Sequence, residues 1–322
     1  MGIFQFHPIY KKKIWGGGLL NKFVAGRDLE SFQLIGESWQ LVDRDEEISV
    51  LKSPYYSMRN LHDLWVNQKE EIFGRNAPPT TRFPLIVKIL DCRLPTSIQV
   101  HPGEKIATKY GWEKKTEFWF FLTTLPGSSI YLGFKQAISP NLLKELIGKK
   151  AIIQYLNRIP TFNSHGILVL SGQIHAVGEG NLILEIQDNS DTTFRIYDWE
   201  RPNENGSLRQ LHYWESVLSV SLEPNNPKLL SPEEISVEQN YFAIKRIELE
   251  AGQFYAYHMD GASFLYLFFC GGRVIVGDIL YEKGQGIFVS ANHGKLQVVG
   301  VDTKNEFISV SFPPEERQNP FV

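Results

Sequence analysis

The chain has 322 residues, which is enough for two compact domains or one elaborated domain. Hydrophobic residues make up 43% of it and charged residues 21%, an ordinary balance for a globular protein. The formal net charge of −3 does not provide the concentrated basic face that binding to a phosphate backbone requires, so we expect no nucleic acid as a partner.

The sequence predicts neither a targeting segment nor a membrane span. No apolar stretch of signal-peptide length follows Met1, and the longest apolar run, residues 264–270, is too short to cross a bilayer. The cysteines, Cys92 and Cys270, both lie in apolar stretches that are typical of strands. Two buried thiols fit a reducing compartment better than a disulfide framework, so we expect a cytoplasmic protein.

Short apolar or alternating runs, bounded by Gly, Pro, Asn and Asp, predict β-strands along most of the chain. In chain order these runs cover residues 83–90, 118–122, 167–170, 182–186, 242–249, 264–269 and 307–312. Helical periodicity is confined mainly to residues near 60–74 and 139–148, where Ser139 followed by Pro140 is typical of a helix start. This mixture predicts a mainly-β sandwich or barrel with a small helical insertion.

A change in composition divides the chain. Residues 220–240 hold three prolines among Asn, Glu and Ser, which is typical of a linker. We therefore place one domain, carrying both helical segments, at residues 1–220 and a second domain at residues 241–322.

A faint internal repeat crosses this linker. Residues 116–121 resemble 262–267, and residues 166–171 resemble 286–291. The first copy carries Glu117 and His175, where the second has Ser263 and Lys295. A real repeat would mean that the second domain lacks the polar site, and one metal ion per chain would follow. The alternative is a chance similarity between apolar strands.

Polar residues on three of these segments form a candidate metal site. Alternate side chains of a strand point to one side, so Gln99 and His101 within residues 97–102 would face one cavity. Glu117 opens the next strand, and His175 follows a glycine turn. One carboxylate, two imidazoles and an amide oxygen suit Zn²⁺ and leave positions open for water or substrate. Taken singly, each of these residues also fits a surface histidine or an ion-paired carboxylate.

Seven short motifs follow one another between residues 15 and 199. They are Trp-Gly-Gly at 15–17, Gly-Glu-Ser-Trp at 36–39, Pro-Leu-Ile-Val-Lys at 84–88, Ser-Ile-Gln-Val-His-Pro at 97–102, Lys-Thr-Glu at 115–117, Gly-Gln-Ile-His-Ala at 172–176 and Arg-Ile-Tyr-Asp-Trp at 195–199. In this order they resemble the class I mannose-6-phosphate isomerases of the cupin superfamily, in their short bacterial branch. Ser171 stands where many relatives have proline, and beyond residue 220 the match is weak.

The resemblance implies two cupin-type, jelly-roll β-barrels, of which the C-terminal one is degenerate and has no metal site. It implies one zinc ion per chain, held by Gln99, His101, Glu117 and His175. It implies substrate contacts from Trp15, Lys88, Ser97 and Asp191. The catalytic residues it implies are Arg195, Lys115 and Glu185.

Aldose–ketose isomerisation moves a proton between C1 and C2 of the sugar through an enediol-type intermediate. Arg195 stays charged at any useful pH, so we expect it to stabilise negative charge rather than to abstract a proton. Glu185 and Lys115 are both candidates for the base, and each needs a pKa near neutrality. We expect Lys88 and Ser97 to hold the phosphate, by charge and by hydrogen bond.

Two other functions fit parts of the pattern. A non-catalytic carbohydrate-binding or sensing cupin would keep the fold and lose Lys115, Arg195 or a metal ligand, yet all of these are present. An iron-dependent oxygenase would rely on a histidine-rich site, whereas Gln99 and Glu117 leave only two histidines in the motif. We therefore expect the interconversion of mannose 6-phosphate and fructose 6-phosphate. The partner would be a small sugar phosphate, and the chain a monomer or weak homo-oligomer.

Overall fold

Antiparallel β-strands dominate the computed structural model, which describes residues 2–24, 34–55, 57–203 and 205–314. The strands of the first part are β1 (Ile3–Phe4), β2 (Ile9–Lys12), β3 (Ile35–Leu41), β4 (Val50–Tyr55), β5 (Met58–Asn60), β6 (Leu85–Cys92), β7 (Ile98–Val100), β8 (Glu117–Thr124), β9 (Ser129–Phe134), β10 (Leu156–Pro160), β11 (Gly166–Val169), β12 (His175–Val177), β13 (Asn181–Asp188) and β14 (Phe194–Tyr197). Those of the second part are β15 (Ser236–Glu238), β16 (Ala243–Leu249), β17 (Phe254–Met259), β18 (Leu265–Gly271), β19 (Arg273–Val276), β20 (Ile279–Glu282), β21 (Gly286–Val289), β22 (Gly294–Gly300) and β23 (Asn305–Ser311). The mainly-β prediction is confirmed.

The helices are short and lie between strands. They are α1 (Leu20–Phe23), α2 (Leu61–Asn67), α3 (Glu104–Tyr110), α4 (Pro140–Leu146) and α5 (Tyr213–Ser219), with a π-helical turn at Lys69–Phe73 and 3-10 turns at Lys150–Tyr155 and Pro232–Glu234. The segments with helical periodicity contain α2 and α4. Helix α4 begins where the sequence indicates, because the Ser139 side chain accepts a hydrogen bond from the Leu142 amide. Among the described residues, no helix is long and apolar enough to cross a membrane.

The first barrel consists of two facing antiparallel sheets. One sheet has the order β11-β8-β13-β6-β3-β2, and the other has the order β10-β9-β12-β7-β14. Apolar side chains from both sheets fill the space between them, among them Trp119 and Phe121 from β8 and Ile130 and Leu132 from β9. Helices α4 and α5 cover the outer face of the second sheet. Polar residues on the inner faces therefore need a specific reason to be there.

The second barrel repeats this plan with sheets of order β1-β21-β18-β23-β16-β15 and β17-β22-β19-β20. Its six-stranded sheet packs against the six-stranded sheet of the first barrel through a shared core that includes Phe118, Phe264 and Phe288. Strand β1 pairs with β21, so the first residues of the chain join the second barrel. Residues 220–240 also bridge to the first barrel, at Leu230 with Gly166. The boundaries 1–220 and 241–322, with their linker, stay predictions.

Strand pairing shows how the internal repeat is built. The order β11-β8-β13-β6 in the first barrel recurs as β21-β18-β23-β16 in the second. Val169 pairs with Glu117, and its counterpart Val289 pairs with Leu265. The counterpart of Glu117 is therefore Leu265. The sequence comparison chose Ser263 because it was offset by two residues, and residues two apart point to the same face of a strand.

The counterpart of His175 also differs from the sequence expectation. Lys295 is exposed and lies on the outer face of its sheet. Next to Lys295, the paired residues Tyr257 and Leu296 point inwards and pack into the core of the second barrel. In the first barrel, the pair at this place is Gln99 and His175. Apolar and aromatic side chains thus fill the second barrel at the places where the first barrel is polar.

Replacing Phe264 by alanine tests the core between the barrels. Phe264 is 1% exposed and stacks on Phe288 with ring centroids 4.9 Å apart. We expect Phe264→Ala to lower the free energy of unfolding by roughly 3–5 kcal/mol in urea titrations, because a buried aromatic leaves a cavity. Phe254→Ala, at a residue that is 58% exposed, is the matched control and should change it by less than about 0.5 kcal/mol. Equal losses for both variants would contradict this packing.

Candidate active site

Three buried side chains from opposite sheets converge inside the first barrel. Glu117 starts β8 in one sheet, whereas His175 starts β12 and His101 follows β7 in the other. The Nε2 atom of His101 lies 3.5 Å from Oε2 of Glu117, and Nε2 of His175 lies 3.4 Å from Oε1. Each residue is at most 1% exposed. Among the described residues, this is the group of histidines and carboxylates that could hold a metal ion.

Backbone carbonyls orient both imidazole rings. Nδ1 of His101 lies 2.8 Å from the carbonyl oxygen of Thr192, and Nδ1 of His175 lies 2.9 Å from that of Gln173. A carbonyl oxygen only accepts hydrogen bonds, so each Nδ1 donates and each Nε2 lone pair points towards Glu117. Burial lowers the pKa of His101 to about 3 and also lowers that of His175, so both rings are neutral. Neutral rings of this tautomer are ready to bind a metal.

The cluster has buried polar atoms that remain unsatisfied. Nε2 of His101 and Oε1 of Glu117 make no hydrogen bond among the described residues. Buried polar atoms without partners are rare and costly, so a cation between these atoms would satisfy them. The Gln99 amide nitrogen lies 3.2 Å from Nε2 of His175, and the Gln99 amide oxygen accepts a hydrogen bond from the Ser97 hydroxyl at 3.1 Å. A half-turn of this amide would exchange the two atoms and offer the oxygen to a metal as a fourth ligand. The donor set of two imidazoles, a carboxylate and an amide fits a zinc-type ion.

Lysines and carboxylates alternate beside this cluster. Nζ of Lys115 lies 2.8 Å from Oε2 of Glu117 and 4.0 Å from Oε1 of Glu185, and Lys88 lies 3.6 Å from Oε2 of Glu185. Burial disfavours the Lys115 ammonium, but the Glu117 and Glu185 carboxylates outweigh it and raise the pKa of Lys115. Burial, with the Glu117 charge, raises the pKa of Glu185 despite both lysines. The two candidate bases therefore differ. Lys115 is held in its protonated, charged form, whereas the raised pKa of Glu185 favours its protonated, uncharged form.

A cavity of about 370 Å³ opens beside these groups. It brings together eight of the residues that the sequence suggested, namely Trp15, Lys88, Ser97, Gln99, Lys115, Glu185, Asp191 and Arg195. The remaining three adjoin the cavity, because His175 contacts Gln99, Glu117 contacts Lys115, and His101 contacts Glu117. Trp15 is 5% exposed and packs into the barrel core, so it is both a core residue and a wall of the cavity.

Sequence reasoning missed several residues of this cavity. They are Lys13, Glu37, Leu90, Thr96, Thr193, Arg209, Gln210 and His212. Glu37 accepts a hydrogen bond from Trp39 at 2.7 Å and pairs with Lys13 at 3.2 Å. Burial opposes its charge, but Lys13 and Lys88 outweigh burial and lower the pKa of Glu37. The motif at residues 36–39 carried the signal for Glu37, and no comparable pattern marked the others.

Comparisons with known proteins decide the family. The family model for the phosphomannose isomerase type I catalytic domain matches residues 3–123. Mannose-6-phosphate isomerase ManA of Bacillus subtilis is 31% identical over 310 residues, which cover 92% of this chain and 95% of that protein. The chain belongs to the class I mannose-6-phosphate isomerase family. The family and the enzyme class that the motifs suggested are thereby confirmed.

Solved structures of mannose-6-phosphate isomerases share the fold. The crystal structure of the Bacillus subtilis enzyme superposes with a TM-score of 0.82 at 26% identity, over 96% of this chain and 99% of that chain. A mannose 6-phosphate isomerase bound with zinc and yttrium superposes with a TM-score of 0.74 at 16% identity, over 97% of this chain and 100% of that chain. The cupin-type, two-barrel prediction is confirmed.

Asp91 holds in place the chain segment after Trp15, which is one of the residues that line the cavity. Its Oδ2 accepts hydrogen bonds from the amides of Leu19 at 2.9 Å and Leu20 at 2.8 Å. Burial raises the pKa of Asp91 to about 6 in spite of these donors. A raised pKa means that the folded protein holds the proton more tightly than the unfolded chain, so stability falls as the pH rises from about 4 through 6.

We therefore expect Asp91→Asn, which mimics the protonated side chain, to gain stability relative to the natural residue as the pH rises. The difference in unfolding free energy should shift in favour of the variant by about 2 kcal/mol between pH 4 and pH 7. Urea titrations at both pH values measure it, and Asp278→Asn on an exposed turn is the control. A difference that stays constant with pH would contradict the pKa of Asp91.

Proposed function

We propose that this chain interconverts mannose 6-phosphate and fructose 6-phosphate, using one zinc ion held by Gln99, His101, Glu117 and His175. The observation that carries the proposal is the set of unsatisfied buried ligand atoms beside a cavity lined by lysines and arginines. A member of the mannose-6-phosphate isomerase family with this cavity needs a cationic site for a sugar phosphate. When bound there, zinc supplies Lewis-acid polarisation of the sugar carbonyl.

The side chains of the second barrel support the proposal of one ion per chain. Leu265, Tyr257 and Leu296 stand where the first barrel has Glu117, Gln99 and His175. None of these three side chains suits a divalent cation at a buried site.

Glu185 is our choice for the group that moves the proton between C1 and C2. Burial raises the pKa of Glu185 and so brings it closer to the working pH of an enzyme. A base with such a pKa is still ionised in part and accepts a proton more readily than an ordinary carboxylate. Lys115 is held as an ammonium by Glu117 and Glu185, so it stabilises the negative charge of the enediol-type intermediate instead. Trp119 fixes the Glu185 carboxylate with a hydrogen bond of 3.1 Å.

Arg195 provides a second permanent charge at the cavity. It lies on β14 directly opposite Gln99 on β7, and its Nη1 donates to the Gln210 carbonyl at 2.8 Å. A guanidinium is planar and always charged, which suits stabilisation of a developing oxyanion. Trp15, Lys88, Ser97 and Asp191 would contact the substrate along the rest of the wall.

We also propose a cytoplasmic location and a monomer or weak homo-oligomer. The cysteines Cys92 and Cys270 are both free and buried, and burial raises the pKa of each thiol. Thiols of this kind are unreactive and fit a reducing compartment.

Metal removal tests the ligand set. We expect chelator-treated protein to lose turnover of mannose 6-phosphate and to regain it with one equivalent of zinc. Glu117→Gln should bind zinc at least about 100-fold more weakly in calorimetry, because it removes the charged ligand. Glu179→Gln, at an exposed residue, is the control. Undiminished zinc affinity in Glu117→Gln would overturn the ligand assignment, whatever the activity.

Two substitutions test the catalytic roles. We expect Glu185→Gln to lower kcat by roughly 10²- to 10⁴-fold, because it removes the base without changing size. Arg195→Ala should lower kcat by roughly 10²-fold, because it removes a fixed charge beside the intermediate. Initial rates of fructose 6-phosphate formation measure both, with zinc content checked in each variant. An active Glu185→Gln enzyme would rule out the carboxylate as the base.

A further inference from the structure

Gln187 is a fully buried amide on β13, the strand that also carries Glu185. It lies directly opposite Glu117 on β8. Paired residues of neighbouring strands point to the same face of the sheet, with Cβ atoms about 4.5–5.5 Å apart. The Gln187 side chain therefore lies inside the first barrel, next to the carboxylate of the candidate metal site.

Two backbone carbonyls fix the orientation of the Gln187 amide. Its Nε2 donates to the carbonyl oxygens of Asp188 at 2.9 Å and Ser190 at 2.8 Å. Carbonyl oxygens only accept hydrogen bonds, so the atom that meets them has to be the nitrogen. The Gln187 side chain thus closes a tight turn, in which the Ser190 amide also donates to the Asp188 carbonyl at 2.7 Å.

This turn leads to the carbonyl group that orients a metal ligand. The Ser190 hydroxyl oxygen accepts a hydrogen bond from the Thr192 amide at 3.2 Å. The Thr192 carbonyl oxygen accepts the hydrogen bond from Nδ1 of His101 at 2.8 Å. A series of hydrogen bonds therefore connects Gln187, through Ser190 and Thr192, with the imidazole ring of His101.

His101 depends on this support more than His175 does. The carbonyl that orients His175 belongs to Gln173, two residues earlier in the chain. The carbonyl that orients His101 belongs to a residue 91 positions further along the chain, so its place depends on how the turn is held. Asn189 ties one side of the turn to two backbone carbonyls, and Gln187 holds the turn from the barrel interior.

Gln187 also shares with the metal ligands a buried atom that lacks a partner. Its Oε1, like Nε2 of His101 and Oε1 of Glu117, makes no hydrogen bond among the described residues. Buried polar atoms without partners are rare in folded proteins and are usually explained by function. The group of unsatisfied atoms at the metal site therefore extends to Gln187.

The second barrel has a different residue at this place. Val310 pairs with Tyr266, so the next residue, Ser311, stands opposite Leu265, the counterpart of Glu117. The barrel that has the ligand set carries an amide here, and the barrel that has an apolar core carries a serine.

We propose that Gln187 is a positioning residue of the metal site. Its Nε2 holds the turn that places the Thr192 carbonyl, and this carbonyl sets the orientation of the His101 ring towards the ion. The inference rests on the proposed zinc site, but it does not depend on which sugar phosphate the enzyme converts.

Zinc affinity, measured by competition with a chromophoric chelator, tests this role. Gln187→Met keeps the size of the side chain and removes the donor. We expect it to bind zinc roughly 10- to 100-fold more weakly, the usual effect of losing a residue that orients a metal ligand. Ser190→Ala removes the hydroxyl that receives the Thr192 amide and should weaken zinc binding roughly 3- to 10-fold, the usual effect of one neutral hydrogen bond. This variant carries the test if Gln187→Met does not fold.

Asn181→Leu is the matched control. Asn181 is a buried amide at the other end of β13, and its Nδ2 also donates to two backbone carbonyls, those of Ser129 at 3.2 Å and Gly178 at 3.0 Å. Removing it should lower stability in urea titrations as Gln187→Met does, because both changes leave buried carbonyls without donors. We expect its zinc affinity to equal that of the natural protein.

The cobalt-substituted protein gives a second readout, which a purely structural role would not change. We expect the visible absorption bands of bound Co²⁺ to differ in position and intensity in Gln187→Met, because a rotated His101 ring alters the ligand geometry. They should be unchanged in Asn181→Leu. Turnover is a poor readout here, because the same turn carries Asp191 of the cavity wall and its displacement would also affect the substrate.

The outcomes separate this inference from the proposed reaction. Unchanged zinc affinity in Gln187→Met or in Ser190→Ala would overturn the positioning role and leave the zinc site standing. An equal loss in Asn181→Leu would overturn it as well, as an effect of general destabilisation. If the natural protein failed to convert mannose 6-phosphate yet showed the expected differences, the reaction would be wrong and the positioning role would stand. A natural protein that binds no zinc would contradict both.

Discussion

The Glu117 carboxylate, fully buried in the first barrel, is the constraint around which the rest of the site is arranged. Burial disfavours its charge, yet the Lys115 ammonium keeps the pKa of Glu117 well below its ordinary value. Three elements meet at this one group, because β8 carries Glu117, β12 carries His175 and the end of β7 leads to His101. An apolar replacement would be easier to bury, so the retained charge is an argument for function.

Burial and pairing also divide the ionisable groups into different roles. The neighbouring carboxylates raise the pKa of Lys115 and hold it as a cation. Burial and the Glu117 charge raise the pKa of Glu185 and favour its uncharged form. The lysines that line the cavity are each paired with a carboxylate, and Arg209 is paired with Asp198, whereas Arg195 has no ion-pair partner among the described residues. One cavity therefore holds a carboxyl group and an ammonium group whose pKa values are both raised, although burial acts on them in opposite directions.

The second barrel shows what the same strand order does without this constraint. Leu265 replaces Glu117 in the pairing, and the core is filled by apolar and aromatic side chains. Its six-stranded sheet instead supports the outer face of the catalytic sheet through stacked and edge-on phenylalanines. The barrel that holds the site is thus backed by a rigid layer, which keeps β8 and β13 in place.

The sequence by itself determined the β-rich class, the family and half of the polar residues of the cavity. Apolar alternation and turn residues mark the longer strands such as β6 and β13, and the motifs from Trp15 to Trp199 are specific in order and content. The strand β12 was missed because its three residues hold too little periodicity. Only the tertiary structure decided which charges meet. Lys88 and Glu185 become neighbours through strand register, and Arg209 reaches Arg195 through a returning segment with no periodic pattern. Pairings over long sequence separations depend on how strands stack, and no local propensity encodes them.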